Sequence, residues 1–228
     1  MTDSRTRIEQ TADSLLHYII DQDLREGDKL PNERELGSRL GVGRGTVREA
    51  LRILESRNIL EIRHGAGSFI SQKNGVPDDP LGLIFIKNKE KLIQDLLDFR
   101  IWVEPRVAAL AAQYAEDRDV LELERLCNEV DECILTGQSH VQKDAEFHTK
   151  IAECSRNQIM PNLVPILHSA INLFIKETGS TLRTETMKTH HAILNAIKQK
   201  DVTAAFDSMF LHLIYNRDRL REGATVTD

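Results

Sequence analysis

Apolar residues recur every three or four positions over residues 8–22 (IEQTADSLLHYIIDQ), placing Ile8, Ala12, Leu15, Leu16 and Ile19 on one side of a predicted helix. The stretch LREGDKLP interrupts the pattern with Gly27 and Pro31. Asn32 and Glu35 then stand at capping-box spacing, where the Asn side chain satisfies an orphan N–H and the Glu reaches back. A short helix follows to Leu40, and Gly41 supplies a turn. A third helix, 44–57, carries Val47, Ala50, Leu51 and Leu54 on one side and Arg44, Arg48 and Arg52 on the other. After it, LEIRHGAGSFI reads as two short alternating runs joined by His64-Gly65-Ala66-Gly67, a β-hairpin with a flexible tip. Helix, helix, turn, Arg-rich helix and hairpin in this order predict a winged helix-turn-helix over residues 1–72. QKNGVPDDP is polar and rich in Gly and Pro, so 73–80 is expected to be a linker. From Leu81 to 228 the pattern is helical, with breaks near 116–119, 136–139, 155–157, 179–183 and 199–201. The expected fold is therefore mostly α, a winged helix-turn-helix followed by an all-α helical bundle.

Several polar residues of the second domain fall on apolar faces. Arg100, on a helix over 89–114, shares its face with Ile93, Leu96, Val107 and Ala111. A guanidinium there needs an anion, because burying an unpaired charge costs several kcal/mol. Glu104, one turn on, is one candidate partner, and a bound carboxylate held bidentately is the other. Pro105 is expected to kink this helix. Val141, Asp144, His148 and Ile151 share a face, so an Asp and a His point together into apolar surroundings, either to pair or to serve a site. His190 and His212 each lie eleven residues from the turn at 199–201. In an antiparallel hairpin that sets them at one height, ~16 Å from the turn. His190 shares its face with Leu194 and Ile197 and points inward, whereas His191 is expected to face solvent. Three imidazoles and one carboxylate converging in this way would suit zinc, nickel or another borderline divalent ion. His168 and Asn172, four apart, either face the same cavity or are ordinary polar positions.

Composition narrows the partners. The 228 residues are 29% charged and 5% aromatic, with net charge −6. Seven Arg and Lys73 stand against four Glu over 34–73, so that segment is basic inside an acidic chain. A single basic segment is the footprint of a protein that touches phosphate at one place. The last helix of a helix-turn-helix fits the major groove, where Arg can grip both phosphate and the guanine edge. Cys127, Cys133 and Cys154 show no CxxC spacing and point to a reducing compartment rather than a disulfide framework. No apolar run reaches the ~18 residues of a bilayer span. The N-terminal MTDSRTRIEQ lacks the apolar core of a signal peptide, so a cytoplasmic location is expected.

The run GDKLPNERELGSRLGVGRGTVREALRILESRNILEIRHGAGSFI resembles the DNA-binding domain of the GntR family of regulators, over residues 8–71. The resemblance implies that Arg34, Arg44, Thr46 and Arg48 contact the major groove and its flanking phosphates, and that His64 and Gly65 place the wing tip in the minor groove. Gly43 and Gly45 depart from the hydroxyl or proline residues usual there. Residues 90–222 look like the all-helical effector (FCD) domain of the FadR-type branch, through DFRIWVEPRVAALAA, DAEFHTKIAECSRN, HHAILNAIKQKD and FLHL. By that resemblance Asp144, His148, His190 and His212 would bind a divalent metal, with zinc expected and nickel or manganese as alternatives. Arg100, with Asn172, would bind a small acid such as a hydroxy acid, sugar acid or dicarboxylate, rather than an acyl-CoA. The chain is expected to be a homodimeric repressor or regulator, because one recognition helix covers only a few base pairs and two copies read a palindrome. A metal sensor, a regulator with a structural metal, and a metalloenzyme placed by DNA binding are the other readings. No HExxH motif or obvious general base supports the last.

Overall fold

The computed structural model describes residues 5–73, 75–77, 79–168 and 184–224. The chain divides into two compact units, residues 1–81 and 82–228, each built round its own core.

In the first unit, α1 (Arg7–Asp21) opens with a capping box in which Thr6 accepts from the Glu9 amide and the Glu9 carboxylate accepts from the Thr6 amide. The side chain of Asn32 accepts from the amides of Arg34 and Glu35 and so starts α2 (Glu33–Leu40). Gly41 closes that helix at φ 64°, a left-handed turn that costs glycine no Cβ clash. α3 (Arg44–Ser56) begins at Gly43, which has no side chain to cap it. Its buried residues Val47, Ala50, Leu51 and Leu54 join Ala12, Leu15, Ile19 and Leu36 in one cluster. The hairpin pairs β1 (Leu60–Arg63) with β2 (Gly67–Ile70) antiparallel, Leu60 opposite Ile70 and Arg63 opposite Gly67.

Two features of this unit were not foreseen. Residues 27–30 lie along β2, with the Leu30 amide donating to Ser68 and the Ile70 amide donating to Asp28. The segment after the hairpin is also tied back: the Gly75 amide donates to the Asn58 carbonyl, and Asn58 Nδ2 donates to the Val76 carbonyl. A reading by periodicity registers neither, because both are backbone contacts made by residues with no apolar pattern.

The second unit has a 3-10 turn at Leu83–Phe85 and then α4 (Lys89–Tyr114), α5 (Asp117–Leu135) and α6 (Val141–Cys154). A helix over 160–168 (α7) follows, and α8 (Thr184–Lys198) and α9 (Val202–Ala224) complete the described chain. α4 remains helical through the buried Pro105. α8 turns back onto α9, and α4 packs along α9. Ala108, Ala111 and Ala112 of α4 are fully buried beside Leu123, Phe147, Ile193, Ile197, Met209 and Leu213. Small residues on α4 let neighbouring backbones approach, and the larger residues fill the layer between them. Among the described residues no helix is long and apolar enough to cross a membrane.

Candidate functional site

Two places concentrate chemistry, one in each unit. In the first, Asn32 and the buried stripe of α3 orient the N-terminus of α2 and the outer side of α3 toward the hairpin tip. The result is a groove of about 810 Å³ lined by Arg34, Arg44, Arg48, Arg52, Arg63, His64 and Gly65. Thr46 lies outside that lining, on a partly buried side of α3. Arg48 is held by Glu33 in a two-pronged pair, Nε to Oε1 at 2.8 Å and Nη2 to Oε2 at 2.7 Å. The hydrogen bonds from Arg48 hold the Glu33 carboxyl below its usual range. Arg52 pairs with Glu49 at 2.9 Å. The groove is thus concave, rich in guanidinium and open at the wing, the form of surface that neutralises a phosphate backbone.

In the second unit, five helices bring imidazoles and carboxylates to one buried spot. Arg100 and Glu104, one turn apart on α4, form a buried ion pair: Nε donates to Oε1 at 2.5 Å, and Nη2 lies 3.3 Å from Oε2. Of the two partners open to Arg100, the intrahelical carboxylate is present. The same Glu104 accepts from His148 Nδ1 at 2.7 Å, which leaves His148 Nε2 as the free lone pair of that ring. His190 Nε2 lies 3.3 Å from Asp144 Oδ1 without hydrogen-bond alignment. The rings of His190 and His212 are 4.8 Å apart, and those of His148 and His212 are 5.0 Å apart. One ligand atom from each of Asp144, His148, His190 and His212 lies within 4.8 Å of the others.

The surroundings set the charge states. Burial lowers His148 to about 4 and His212 well below its ordinary value, so both are neutral near pH 7 and able to donate a lone pair. Burial by itself would raise Glu104 and Asp144. Arg100 and His148 outweigh it at Glu104, and the neighbouring imidazoles outweigh it at Asp144, so both carboxyls titrate well below their usual range. The donor set suits a borderline divalent cation, and the buried nitrogens give a test of fit. His190 is 0% exposed, and neither of its ring nitrogens has a hydrogen-bond partner among the described residues; His148 Nε2 has none either. Unpaired buried polar atoms are rare and costly, and a shared cation would satisfy His148 Nε2 and one ring nitrogen of His190.

The sequence pattern identified only part of this site. Glu104, which helical spacing offers as a partner for Arg100, also orients His148 from 44 residues away. His168 is buried beside it, with Nε2 3.6 Å from Glu104 and Nδ1 3.6 Å from Asp144. Thr189 and Asn216 flank His212, at 2.9 Å from Nδ1 and 3.0 Å from Nε2. Asn172 lies outside the described residues. His191, expected to face solvent, is 44% exposed, and α5, packed beside α8, places Asp131 2.6 Å from its Nε2.

Comparison with known proteins gives two family matches. Residues 7–70 match the bacterial regulatory proteins of the gntR family, and residues 95–214 match the FCD domain. The Glc operon transcriptional activator of Escherichia coli K12 is 30% identical over 215 residues, covering 88% of this chain and 84% of that protein. The Uxu operon regulator of Haemophilus influenzae is 29% identical over 217 residues, covering 89% and 77%. Both relatives are regulators, not enzymes. A solved structure, Streptococcus agalactiae GntR, superposes with a TM-score of 0.83 at 40% identity, over 92% of this chain and 99% of that one.

Proposed function

Since this chain belongs to the GntR family of bacterial regulators and carries an FCD domain, we propose that it binds palindromic operator DNA as a homodimer in the cytoplasm. We infer a small carboxylic acid as its effector, bound beside a divalent metal in the second unit, with relief of repression as the expected response. The observation that carries the reading is His190, wholly buried with both nitrogens unpaired in the middle of a three-His, one-Asp set. Asp144, His148, His190 and His212 would hold the ion, and zinc suits them best, with nickel or manganese as the alternatives. When bound, the metal supplies an electrophilic anchor for a ligand oxygen.

The protein's own groups do the rest. Glu104 fixes the tautomer of His148, so that Nε2 presents its lone pair. Arg100 spends Nε and one edge of Nη2 on Glu104, which leaves its Nη1 donors for an arriving carboxylate. A hydroxy acid, sugar acid or dicarboxylate offers the second oxygen that such a site can use. At the other end, Arg34, Arg44, Thr46 and Arg48 would meet the major groove and its phosphates, with His64 and Gly65 in the minor groove. Acid binding and operator binding are then linked, each altering the affinity for the other by the same factor.

The test is a melting-temperature screen of small hydroxy and dicarboxylic acids, with and without a chelator. An effector should raise the melting temperature by mass action only while metal is present. His148→Ala should lose metal and acid response yet still bind operator DNA; unchanged metal stoichiometry in that variant would refute the assignment. Arg100→Ala separates the second reading, a metal that is structural or is itself the signal. On the acid-sensor reading that variant keeps its metal and loses the acid response.

A further inference from the structure

We propose that Cys127, Asp131 and His191 form a second cation site, at the seam between α5 and α8, for zinc or another borderline divalent ion. It is separate from the Asp144 set, shares no residue with it, and does not depend on the reading of that set. Cys127 and Asp131 are one helical turn apart on α5 and so share a face. The packing of α8 against α5 adds His191 to that face. The thiol sulfur, a carboxylate oxygen and an imidazole nitrogen lie within 4.8 Å of one another.

One atom of the cluster lacks a partner, and a buried thiol stands beside it. Asp131 Oδ2 accepts from His191 Nε2 at 2.6 Å, but its other oxygen, Oδ1, is buried with no hydrogen-bond partner among the described residues. Cys127 is wholly buried and in no disulfide. A cation between the three would satisfy the orphaned carboxylate oxygen and the sulfur together. Binding replaces the thiol proton, which leaves to solvent, with a metal–sulfur bond; no electrons are transferred. A thiolate and an imidazole favour zinc-like ions over magnesium or calcium, which prefer oxygen ligands alone. Three protein ligands leave a fourth position for water. The half-exposed ring of His191 gives the ion a way in from solvent.

Sulfur makes the site separable by experiment. Cobalt(II) titrated into the full chain should produce a thiolate-to-cobalt charge-transfer band in the near ultraviolet, which the nitrogen and oxygen ligands of the Asp144 set cannot give. The band should persist in His148→Ala and in Cys133→Ser, and vanish in Cys127→Ser and His191→Ala, each with the loss of one cobalt equivalent per chain. Because Cys127 lies in the core, His191→Ala, altered at a half-exposed ring, keeps the test valid if Cys127→Ser does not fold. Absence of the band from the unaltered chain, or its survival in His191→Ala, overturns the proposal.

Discussion

Glu104 sits between Arg100 and His148 and satisfies both, so one carboxylate neutralises a buried guanidinium and aims an imidazole. Leaving one charge of a buried pair without its partner costs about 3–5 kcal/mol. Losing an outer-shell partner of a ligating His lowers metal affinity by roughly 10–100-fold. Glu104→Gln should therefore do both: lower the melting temperature without metal, and weaken zinc binding measured by competition with a chromophoric chelator. Unchanged zinc affinity in a folded Glu104→Gln protein would remove Glu104 from the site. Arg100 and Glu104 were recognisable in the sequence because residues four apart on one helix share a face. The link from Glu104 to His148 was not, since nothing local says which face of α6 meets which face of α4.

At the level of elements, α3 begins without a side-chain cap. Its N-cap is Gly43, and a Cβ added at Gly45 would meet nothing within 4 Å. Glycine within a helix costs about 0.5–1 kcal/mol relative to alanine through its backbone entropy. Gly45→Ala should stabilise the first unit by about 0.5 kcal/mol, near the low end of that range because the position lies in the first turn; urea unfolding reads the change. A destabilised variant would show that Gly45 is kept for its backbone freedom. The wing and the recognition helix were both evident in the chain, one from period two with glycines at its tip, the other from period three to four. Burial follows the hairpin alternation only in part: Leu60 and Ile70 are buried while Ile62 remains 37% exposed. The strand-like segment at 27–30 carries no alternation, and only its hydrogen bonds to β2 reveal it.

For the molecule as a whole, acid should separate the two units. His148 titrates near 4 when folded, against an ordinary value near 6.5, because burial penalises its charged form. As pH falls below about 6.5, the unfolded chain takes up a proton that the folded one refuses, so stability declines until about pH 4. His212, also lowered by burial, acts in the same direction. Glu104 and Asp144, whose folded values are depressed, contribute stability above their ordinary values of 4.5 and 3.8 and lose it progressively as pH falls through and below them. The first unit has no buried histidine among its described residues. Thermal unfolding at pH 7 and at pH 4.5, without metal, should show the second unit's transition falling further than the first's; equal shifts would contradict the titration. The amino-acid sequence by itself determined the two-part layout, the Arg-bearing recognition helix, the wing, and the inward faces of Asp144, His148, His190 and His212. These follow from helical and strand periods, which are local. Only the tertiary structure decided that Glu104 serves two partners, that His168 joins the buried cluster, that Arg48 is held by Glu33, and that His191 meets Asp131. Those contacts join residues 15 to 64 positions apart, and the packing of whole helices, not the pattern along any one of them, sets which side chains meet.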